Sequence, residues 1–429
     1  MLKQTGKGID LKDMSDKRKN DWLTPEGTRD MLFEECTVKR KISERVTKLF
    51  ENYGYSEVTT PGLEFFDVFN GIGRQFPQET MYKLVDGKNR LMVLRPDSTL
   101  PIARLAATRL RGEELPLKLF YNQNIFMVNP KDSGRDDEIS QCGIEILGGE
   151  SESADFEALV LAAKALAACD ENYRIEIGDC GIFNEFSIKY HCGSELVANT
   201  QNWIESKNLP MLDSVYSSDK IAEEDKVFAD AFKALPRLFG GFEVFEKARE
   251  FFKGEVFEKA KEFLKVEVLE QNLANLEKLC RDLSEVIPEE KIRVDLGLLS
   301  KKNYYTGIIF RGYVEGYGQP ALSGGRYDRL LGTFGRYAGA VGFAVNVEAV
   351  ARVLLKKDKS QFERRPNVIV WSENPALALK HCSRLISEGF TVVNSVLECP
   401  KCTKKYAQEH NISRVDIVDK DGNVISEEV

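Results

Sequence analysis

The chain has 429 residues, 42% of them hydrophobic and 30% charged, so it is long enough for two or three domains with a large buried core. Its 68 acidic residues outnumber its 60 basic ones and give a formal net charge of −8, which argues against binding to nucleic acid through excess positive charge. The sequence contains no long, uninterrupted apolar run, which argues against a membrane-spanning helix.

The N-terminal segment and the cysteines bear on location and on metal binding. Residues 1–23 are polar and rich in lysine, and we interpret them as a tail without a secretion signal. Nine cysteines, an odd number in a chain with no such signal, predict a reducing, cytoplasmic location. Cys399 and Cys402 form the only Cys-x-x-Cys pair. Because a zinc site needs two further ligands, we expect neither a metal nor a cofactor and interpret the pair as structural thiols.

The first part of the chain, from Thr24 to about Cys180, alternates helical and strand patterns. Apolar residues at helical spacing predict a helix over 35–53, and the short run 56–61 predicts a strand that ends at a proline. The same criteria predict a helix over 154–168 and strands over 91–94, 117–121, 143–147 and 173–177.

A helical, highly charged insertion is predicted over 183–290. It contains a tandem repeat, Glu243–Gly254 followed by Glu255–Val266, but two copies fall short of the three that a solenoid needs. Apolar positions 244, 245, 248, 251 and 252 share one helix face. This pattern favours a helix packed on a core over a dedicated partner site.

The C-terminal part of the chain predicts a second domain. Strands resume at Ile292 and continue to 341–347, and a charged linker over 351–365 precedes a small unit over 366–429. In that unit strands alternate with helices, which indicates a small parallel sheet. The predicted strands are 368–371, 390–396 and 415–418, and the predicted helices are 376–388 and 403–410.

Six segments carry motifs that follow one another in a fixed order: Thr24–Asp30, Leu94–Thr99, Gln141–Glu145, Asn303–Phe310, Ser323–Leu331 and Gly342–Val350. Taken together, they resemble the motifs of histidyl-tRNA synthetases, which are class II enzymes. The resemblance covers about residues 24–350 and, more weakly, the terminal unit, which looks like a shortened anticodon-binding domain. It implies an α+β fold, an antiparallel sheet flanked by helices that dimerises through the helix and strand of residues 35–61.

The matching motifs contain residues suited to holding a free amino acid. Asp97 and Glu145 could receive the ammonium group, and Thr99 and Gln141 could add a hydroxyl and an amide. Gln141 and Glu145 point to the same face of a strand because their spacing is even. By resemblance, an imidazole pocket is lined by the tyrosines of the later motifs, which are Tyr304, Tyr305 and Tyr327. The resemblance therefore predicts a histidine-binding pocket.

The positions that handle ATP in the synthetases carry different residues in this chain. Where the family has arginines that meet phosphate, the sequence has Met127, Asp137, Ser300 and Ala349, and Asn303 replaces an aspartate. Adenylate formation needs preorganised cations, and the loss of one such donor typically costs about 10²–10³ in rate. Carboxylates added beside the phosphates repel them. We therefore expect aminoacylation activity to be absent and no residue to be catalytic.

A histidine pocket without these arginines resembles one group of synthetase paralogues, the regulatory subunits of ATP phosphoribosyltransferase. That resemblance implies a role in the first step of histidine biosynthesis, with histidine feedback. It also implies a homodimer within a larger hetero-oligomer that contains a short-form catalytic subunit. Two alternatives stay open. One is an active histidyl-tRNA synthetase, and the other is a synthetase-like module that binds tRNA or another protein. The terminal unit, with 7 basic and 9 acidic residues from Pro366 onward, disfavours tRNA.

Overall fold

The chain forms two compact units, which we describe separately. The computed structural model describes residues 22–429 apart from 72–75, 131–133, 150, 190–193, 218–220, 222–224, 254–265 and 301–303. The larger unit includes Val38–Lys357, and the smaller unit consists of Asp358–Val429 with Leu32–Thr37. Two predicted segments lie largely outside the described residues. They are residues 1–21 of the predicted tail 1–23 and residues 255–265 of the second repeat copy. In the part of the chain that the structure describes, no helix combines the length and apolar character needed to cross a bilayer.

Two sheets organise the larger unit. Its strands are β1 Ser56–Glu57, β2 Leu63–Phe65, β3 Lys83–Val85, β4 Leu91–Leu94, β5 Leu117–Phe126, β6 Glu138–Leu147, β7 Tyr173–Asp179, β8 Phe239–Gly240, β9 Ile292–Asp295, β10 Ile308–Val314, β11 Leu322–Arg326 and β12 Ala340–Asn346. Nine strands form one sheet in the order β1-β5-β6-β12-β11-β10-β7-β9-β8, and β2-β4-β3 form the other. The large sheet is antiparallel except at the pairs β1–β5 and β7–β9. The predicted α+β fold is thus confirmed.

The two strands that carry the predicted pocket are longer than expected. Both β5 and β6 run for ten residues, whereas hydrophobic runs predicted only 117–121 and 143–147. The added length contains polar residues such as Gln123 and Gln141, which pair directly across the ladder. A search for apolar runs misses strands of this kind, because backbone pairing tolerates polar side chains that find hydrogen-bond partners, as Gln123 does with Thr60. In contrast, β1 is only two residues long, not the predicted six of 56–61.

Helices cover the large sheet. Up to Lys357 they are α1 Glu34–Asn52, α2 Asp67–Asn70, α3 Thr99–Thr108, α4 Glu152–Cys169, α5 Cys180–Lys189, α6 Ser194–Glu205, α7 Leu209–Tyr216, α8 Lys226–Ala234, α9 Glu243–Phe252, α10 Val266–Ser284 and α11 Val347–Lys357. The ring of Phe50 in α1 lies 6.1 Å from that of Phe120 and 5.8 Å from that of Phe343, which anchors α1 to β5 and β12. Helix α4 is buried on most of its surface because alanines and leucines surround its axis.

The predicted insertion is helical, as expected, and its chain forms α5 to α10 together with the short strand β8. In the first copy of the tandem repeat, α9 buries Val244, Phe245, Ala248 and Phe252, which confirms that one helix face packs on a core. Phe251 is half-buried. The predicted linker 351–365 is wrong in its first half, because α11 continues to Lys357 with its apolar side chains packed.

The smaller unit contains the predicted small sheet and one further strand. Its strands are β13 Val368–Ser372, β14 Val392–Asn394, β15 Arg414–Val418 and β16 Val424–Glu428, and its helices are α12 Pro375–Ser387 and α13 Pro400–Glu409. The order is β14-β13-β15-β16, with the first three strands parallel and β16 antiparallel to β15. Strand β16 was not predicted, because its residues are mostly polar and exposed.

The interpretation of Cys399 and Cys402 as thiols is wrong, because the two sulfurs are joined in a disulfide at the start of α13. Among the described residues the other cysteines form no disulfide, and all of these are buried apart from Cys36. The described residues contain no group of three or more His, Cys, Asp or Glu side chains arranged to hold a metal ion.

We predict that the ion pair between β11 and α4 contributes strongly to stability. Arg326 and Asp155 are 2.8 Å apart, with side chains only 11% and 13% exposed. Asp155→Ala should lower the free energy of unfolding by about 2 kcal/mol, because Arg326 loses its most buried carboxylate partner and keeps Asp328 and a backbone carbonyl. The exposed pair of Asp213 with Arg237 provides the control, and Asp213→Ala should cost less than about 1 kcal/mol. Equal losses in urea denaturation would contradict this ranking.

Candidate functional site

The candidate site lies over the middle of the large sheet, where three neighbouring strands carry small residues. Gly143 of β6 pairs with Ala344 of β12, which pairs with Ser323 of β11. One step along the same face, Gly342 pairs with Gly325. Paired residues project to the same side of a sheet, so these five residues form a low surface, which we call the small-residue floor. A cavity of about 150 Å³ lies above it.

A buried carboxylate stands at the edge of this floor. Glu145 pairs with Gly342 and is only 1% exposed. The hydroxyl of Thr99 donates to its Oε1 at 2.8 Å, and the hydroxyl of Tyr327 donates to its Oε2. Any β-carbon at Gly342 would overlap this carboxylate. Glycine at this position therefore leaves the space that Glu145 occupies.

A second buried carboxylate belongs to Asp97, at the start of α3. Its Oδ1 accepts backbone N–H bonds from Thr99 at 2.8 Å and Leu100 at 3.2 Å, so it holds the first turn of the helix. Its Oδ2 accepts a long hydrogen bond of 3.4 Å from the hydroxyl of Tyr304. One oxygen of Asp97 is thus committed to structure, while the other meets the aromatic wall of the cavity.

Tyrosines supply that wall. The ring of Tyr304 lies 4.9 Å from that of Tyr305 and 5.9 Å from that of Tyr327. Tyr121 of β5 also lines the cavity, opposite Gly143 in the ladder. Burial raises the pKa of Tyr121, Tyr304 and Tyr327 well above the usual tyrosine value, and the nearby carboxylates raise it further. These phenols are therefore neutral hydroxyls that can donate hydrogen bonds.

The structure brings the predicted pocket residues together. Six of the seven line the cavity, namely Asp97, Thr99, Gln141, Tyr304, Tyr305 and Tyr327. The seventh, Glu145, contacts the cavity residues Thr99 and Tyr327 through hydrogen bonds. Sequence reasoning missed Tyr121, Ser323 and Asn346 as lining residues. The even spacing from Gln141 to Glu145 identifies the correct face of β6, but finding the partners of that face requires the strand register.

The position expected to carry phosphate-binding charge in the loop after β5 holds a buried carboxylate. Asp137 is 6% exposed and accepts hydrogen bonds from the hydroxyl of Tyr82 and from the backbone N–H of Asn129, the latter at 3.0 Å. Its side chain lies directly against Gly27, where a β-carbon would overlap it. Burial and Asp137 raise the pKa of Tyr82 to about 12.

The neighbouring residue, Asp136, pairs with cations in this part of the fold. It contacts Arg29 at 3.4 Å and also forms an ion pair with Arg352 of α11. Arg29 and Arg352 are therefore both paired with the Asp136 carboxylate.

The other three positions at which the synthetases carry phosphate-binding arginines hold uncharged residues in this chain. Met127 packs against the hydrophobic core beside the cavity. Ala349 is 1% exposed in the first turn of α11, so its methyl group is enclosed by protein. The backbone carbonyl of Ser300 accepts a hydrogen bond of 2.8 Å from the side chain of Gln201. Asn303, predicted to lie at the edge of the pocket, falls outside the described residues.

Comparison with known proteins defines the family. The histidyl-tRNA synthetase family matches residues 27–350 of this chain. The ATP phosphoribosyltransferase regulatory subunit of Clostridium acetobutylicum is 38% identical over 413 residues, covering 94% of this chain and 97% of that protein. The protein of the same name from Clostridium novyi is 35% identical over 413 residues, covering 92% of each chain.

A solved structure agrees with these matches. A Bacillus halodurans protein described as an ATP phosphoribosyltransferase regulatory subunit/histidyl-tRNA synthetase superposes with a TM-score of 0.75 at 26% identity. The match covers 93% of this chain and 97% of that one. The chain thus belongs to the class II, histidyl-tRNA synthetase-like proteins. Within that class it belongs to the family of ATP phosphoribosyltransferase regulatory subunits.

We predict that the cavity tyrosines make stability fall at alkaline pH. The folded protein keeps their protons, whereas unfolded tyrosines lose them near pH 10, so the native state binds more protons above that pH. The contribution of these tyrosines to the free energy of unfolding is fully present below about pH 10 and is lost as the pH rises further. Urea unfolding midpoints measured across this range should decline, and less steeply in Tyr327→Phe. Tyr337→Phe, a change at a ring that is 87% exposed, should keep the original slope; identical slopes in all three proteins would contradict the prediction.

Proposed function

We propose that this chain acts as the regulatory subunit of an ATP phosphoribosyltransferase, in the first step of histidine biosynthesis, and that it binds L-histidine as a feedback signal. One observation carries the proposal. The cavity brings together the predicted carboxylates and tyrosines, while the positions that carry phosphate-binding arginines in histidyl-tRNA synthetases hold Met127, Asp137 and Ala349. The family of named regulatory subunits to which the chain belongs supports the same role.

The cavity suits a single amino acid. Its volume of about 150 Å³ is below the range of about 300–1,000 Å³ that drug-sized ligands fill, which disfavours a nucleotide. Asp97 and Glu145 provide negative charge for an ammonium group, and Gln141 adds an amide. The neutral hydroxyls and rings of Tyr304 and Tyr327 suit an imidazole, which needs apolar walls and one or two hydrogen bonds.

The same region is poorly suited to the activation of an amino acid by ATP. Adenylation builds negative charge on phosphate oxygens, and enzymes meet it with preorganised cations. Here Asp136 binds Arg29 and Arg352, and Asp137 is buried against Gly27. These carboxylates would repel a triphosphate as well as withhold the arginines. We therefore propose that aminoacylation is absent and that no residue around the cavity is catalytic.

Regulation would follow from linkage between two binding events. We propose that the chain forms a homodimer within a larger hetero-oligomer that contains a short-form catalytic subunit. If histidine binds one conformation of this assembly more tightly than another, it shifts the population toward that conformation. A coupling of 1–3 kcal/mol, typical of allosteric proteins, would change the apparent affinity of the catalytic subunit for its substrates by about 5–150-fold.

The direct test is reconstitution. A short-form catalytic subunit from the same source should transfer phosphoribosyl groups to ATP faster with this chain than without it, and added histidine should lower the rate. A parallel assay should detect no histidine-dependent exchange between ATP and pyrophosphate. Such an exchange would identify an active synthetase. Failure to affect transfer, combined with salt-sensitive binding of tRNA, would instead indicate a tRNA-binding module.

A matched pair of glycine variants tests the histidine site. Gly342→Ala adds a β-carbon that overlaps the Glu145 carboxylate and the backbone oxygen of Ile144, and should push the carboxylate away from Thr99 and Tyr327, which line the cavity. Loss of one charged hydrogen bond is worth about 1.5–3 kcal/mol, so calorimetry should show histidine binding about 10–100-fold weaker. Gly62→Ala, where the added carbon meets nothing within 4 Å, is the control and should bind normally. Unchanged binding in a folded Gly342→Ala protein would place the effector site elsewhere.

A further inference from the structure

The smaller unit carries a cysteine pair that plays no part in the proposed histidine site. Cys399 and Cys402 lie at the beginning of α13 (Pro400–Glu409), which follows β14 and precedes β15. Their sulfurs are bonded to each other. A Cys-x-x-Cys pair at the first turn of a helix that leads from one parallel strand to the next is an arrangement suited to reversible thiol chemistry.

We propose that Cys399 and Cys402 form a dithiol–disulfide exchange site, with Cys399 as the attacking thiolate and Cys402 as the resolving thiol, and that low-molecular-weight disulfides are its substrates. The proposal stands on the placement of the pair and is independent of histidine binding.

The first turn of α13 favours a thiolate at Cys399. Its Sγ accepts a hydrogen bond of 3.1 Å from the backbone N–H of Cys402, as the side chain that caps the helix. The positive end of the helix dipole therefore lies against this sulfur. Lys401 adds a positive charge between the two cysteines in sequence, while Glu398 adds a negative one outside the helix. An N–H donor and a helix N-terminus both stabilise the charged, nucleophilic form of a cysteine.

Solvent exposure distinguishes Cys399 and Cys402 from the buried cysteines. Cys402 is exposed and Cys399 is partly exposed. In contrast, burial raises the pKa of Cys142, Cys169 and Cys280 to about 12, which keeps those thiols protonated and unreactive. Of the described cysteines outside the disulfide, Cys36 alone is exposed, and it therefore serves as an internal reference for reactivity.

A purely structural role explains the disulfide poorly. The two cysteines are separated by three positions in the sequence, so the bond closes a very short loop. A cross-link stabilises a fold mainly by restricting the unfolded chain, and a short loop restricts it least. In a reducing compartment, disulfides that do form are usually transient and take part in redox chemistry.

The exchange would proceed in two balanced steps. The Cys399 thiolate attacks one sulfur of a disulfide RSSR, forming the mixed disulfide Cys399–S–S–R and releasing RS⁻, which takes up a proton. The Cys402 thiol then loses its proton, and its thiolate attacks the Sγ of Cys399 and releases the second RS⁻. The net result is that one RSSR is reduced to two RSH while the protein dithiol is oxidised to the intramolecular disulfide.

Glutathione disulfide is the probe for the test, and the full chain is reduced and desalted before the probe is added. Trypsin cleaves after Lys401, between the two cysteines, so the disulfide joins the peptides 385–401 and 402–404. Mass spectrometry should find these peptides joined after exposure to the probe and separate again after dithiothreitol. If they stay separate in a folded protein that meets excess probe, the proposal is wrong.

Single variants assign the two roles. Cys402→Ser should accumulate a glutathione adduct on Cys399, because no resolving thiol remains, and should form it about ten times faster than the adduct on Cys36. In Cys399→Ser, the glutathione adduct should form on Cys402. Its rate should be about ten times lower than the rate at which the adduct forms on Cys399 in Cys402→Ser. Cys36→Ser should leave formation of the joined peptides unchanged. Equal adduct rates at Cys36, Cys399 and Cys402 would show ordinary exposed thiols and overturn the assignment.

Discussion

The larger unit is organised around the burial of Glu145. A carboxylate that is 1% exposed is very unfavourable unless strong donors satisfy it, and its donors here are the hydroxyls of Thr99 and Tyr327. These hydroxyls belong to different parts of the chain, namely α3 and the segment after β11. Satisfying one carboxylate therefore fixes α3 and that segment over the sheet. Gly342 completes the arrangement, because any larger residue would take the space of the carboxylate.

A second group of carboxylates lies outside the cavity and is paired with cations. The cavity above the small-residue floor is lined by fixed hydroxyls, an amide and aromatic rings. Chemistry on a triphosphate needs free cations as well. Here Asp136 engages Arg29 and Arg352, and the buried Asp137 fills the space against Gly27. These carboxylates and arginines therefore form a closed electrostatic network.

The elements that sequence reasoning found and missed differ in a physical way. The seven pocket residues were located by the resemblance of their motifs, and local spacing sets that Gln141 and Glu145 share one side of β6. Sequence reasoning missed Tyr121, which reaches the cavity only because β5 pairs in register with Gly143. It also shortened β5 and β6, since polar residues within a strand interrupt the hydrophobic pattern. The state of Cys399 was mistaken because the spacing of two cysteines does not reveal whether their sulfurs meet.

By itself, the sequence determined the class of fold, the order of its motifs and the residue types available for binding. The class of fold follows from the resemblance that the motifs carry, and the residue types follow from side-chain chemistry, which the sequence states directly. Only the tertiary structure decided that Gly342 lies beside Glu145, that Asp136 binds Arg352 and that the small-residue floor is continuous across three strands. Such contacts join residues far apart in sequence, and strand register and helix packing set them rather than any local preference.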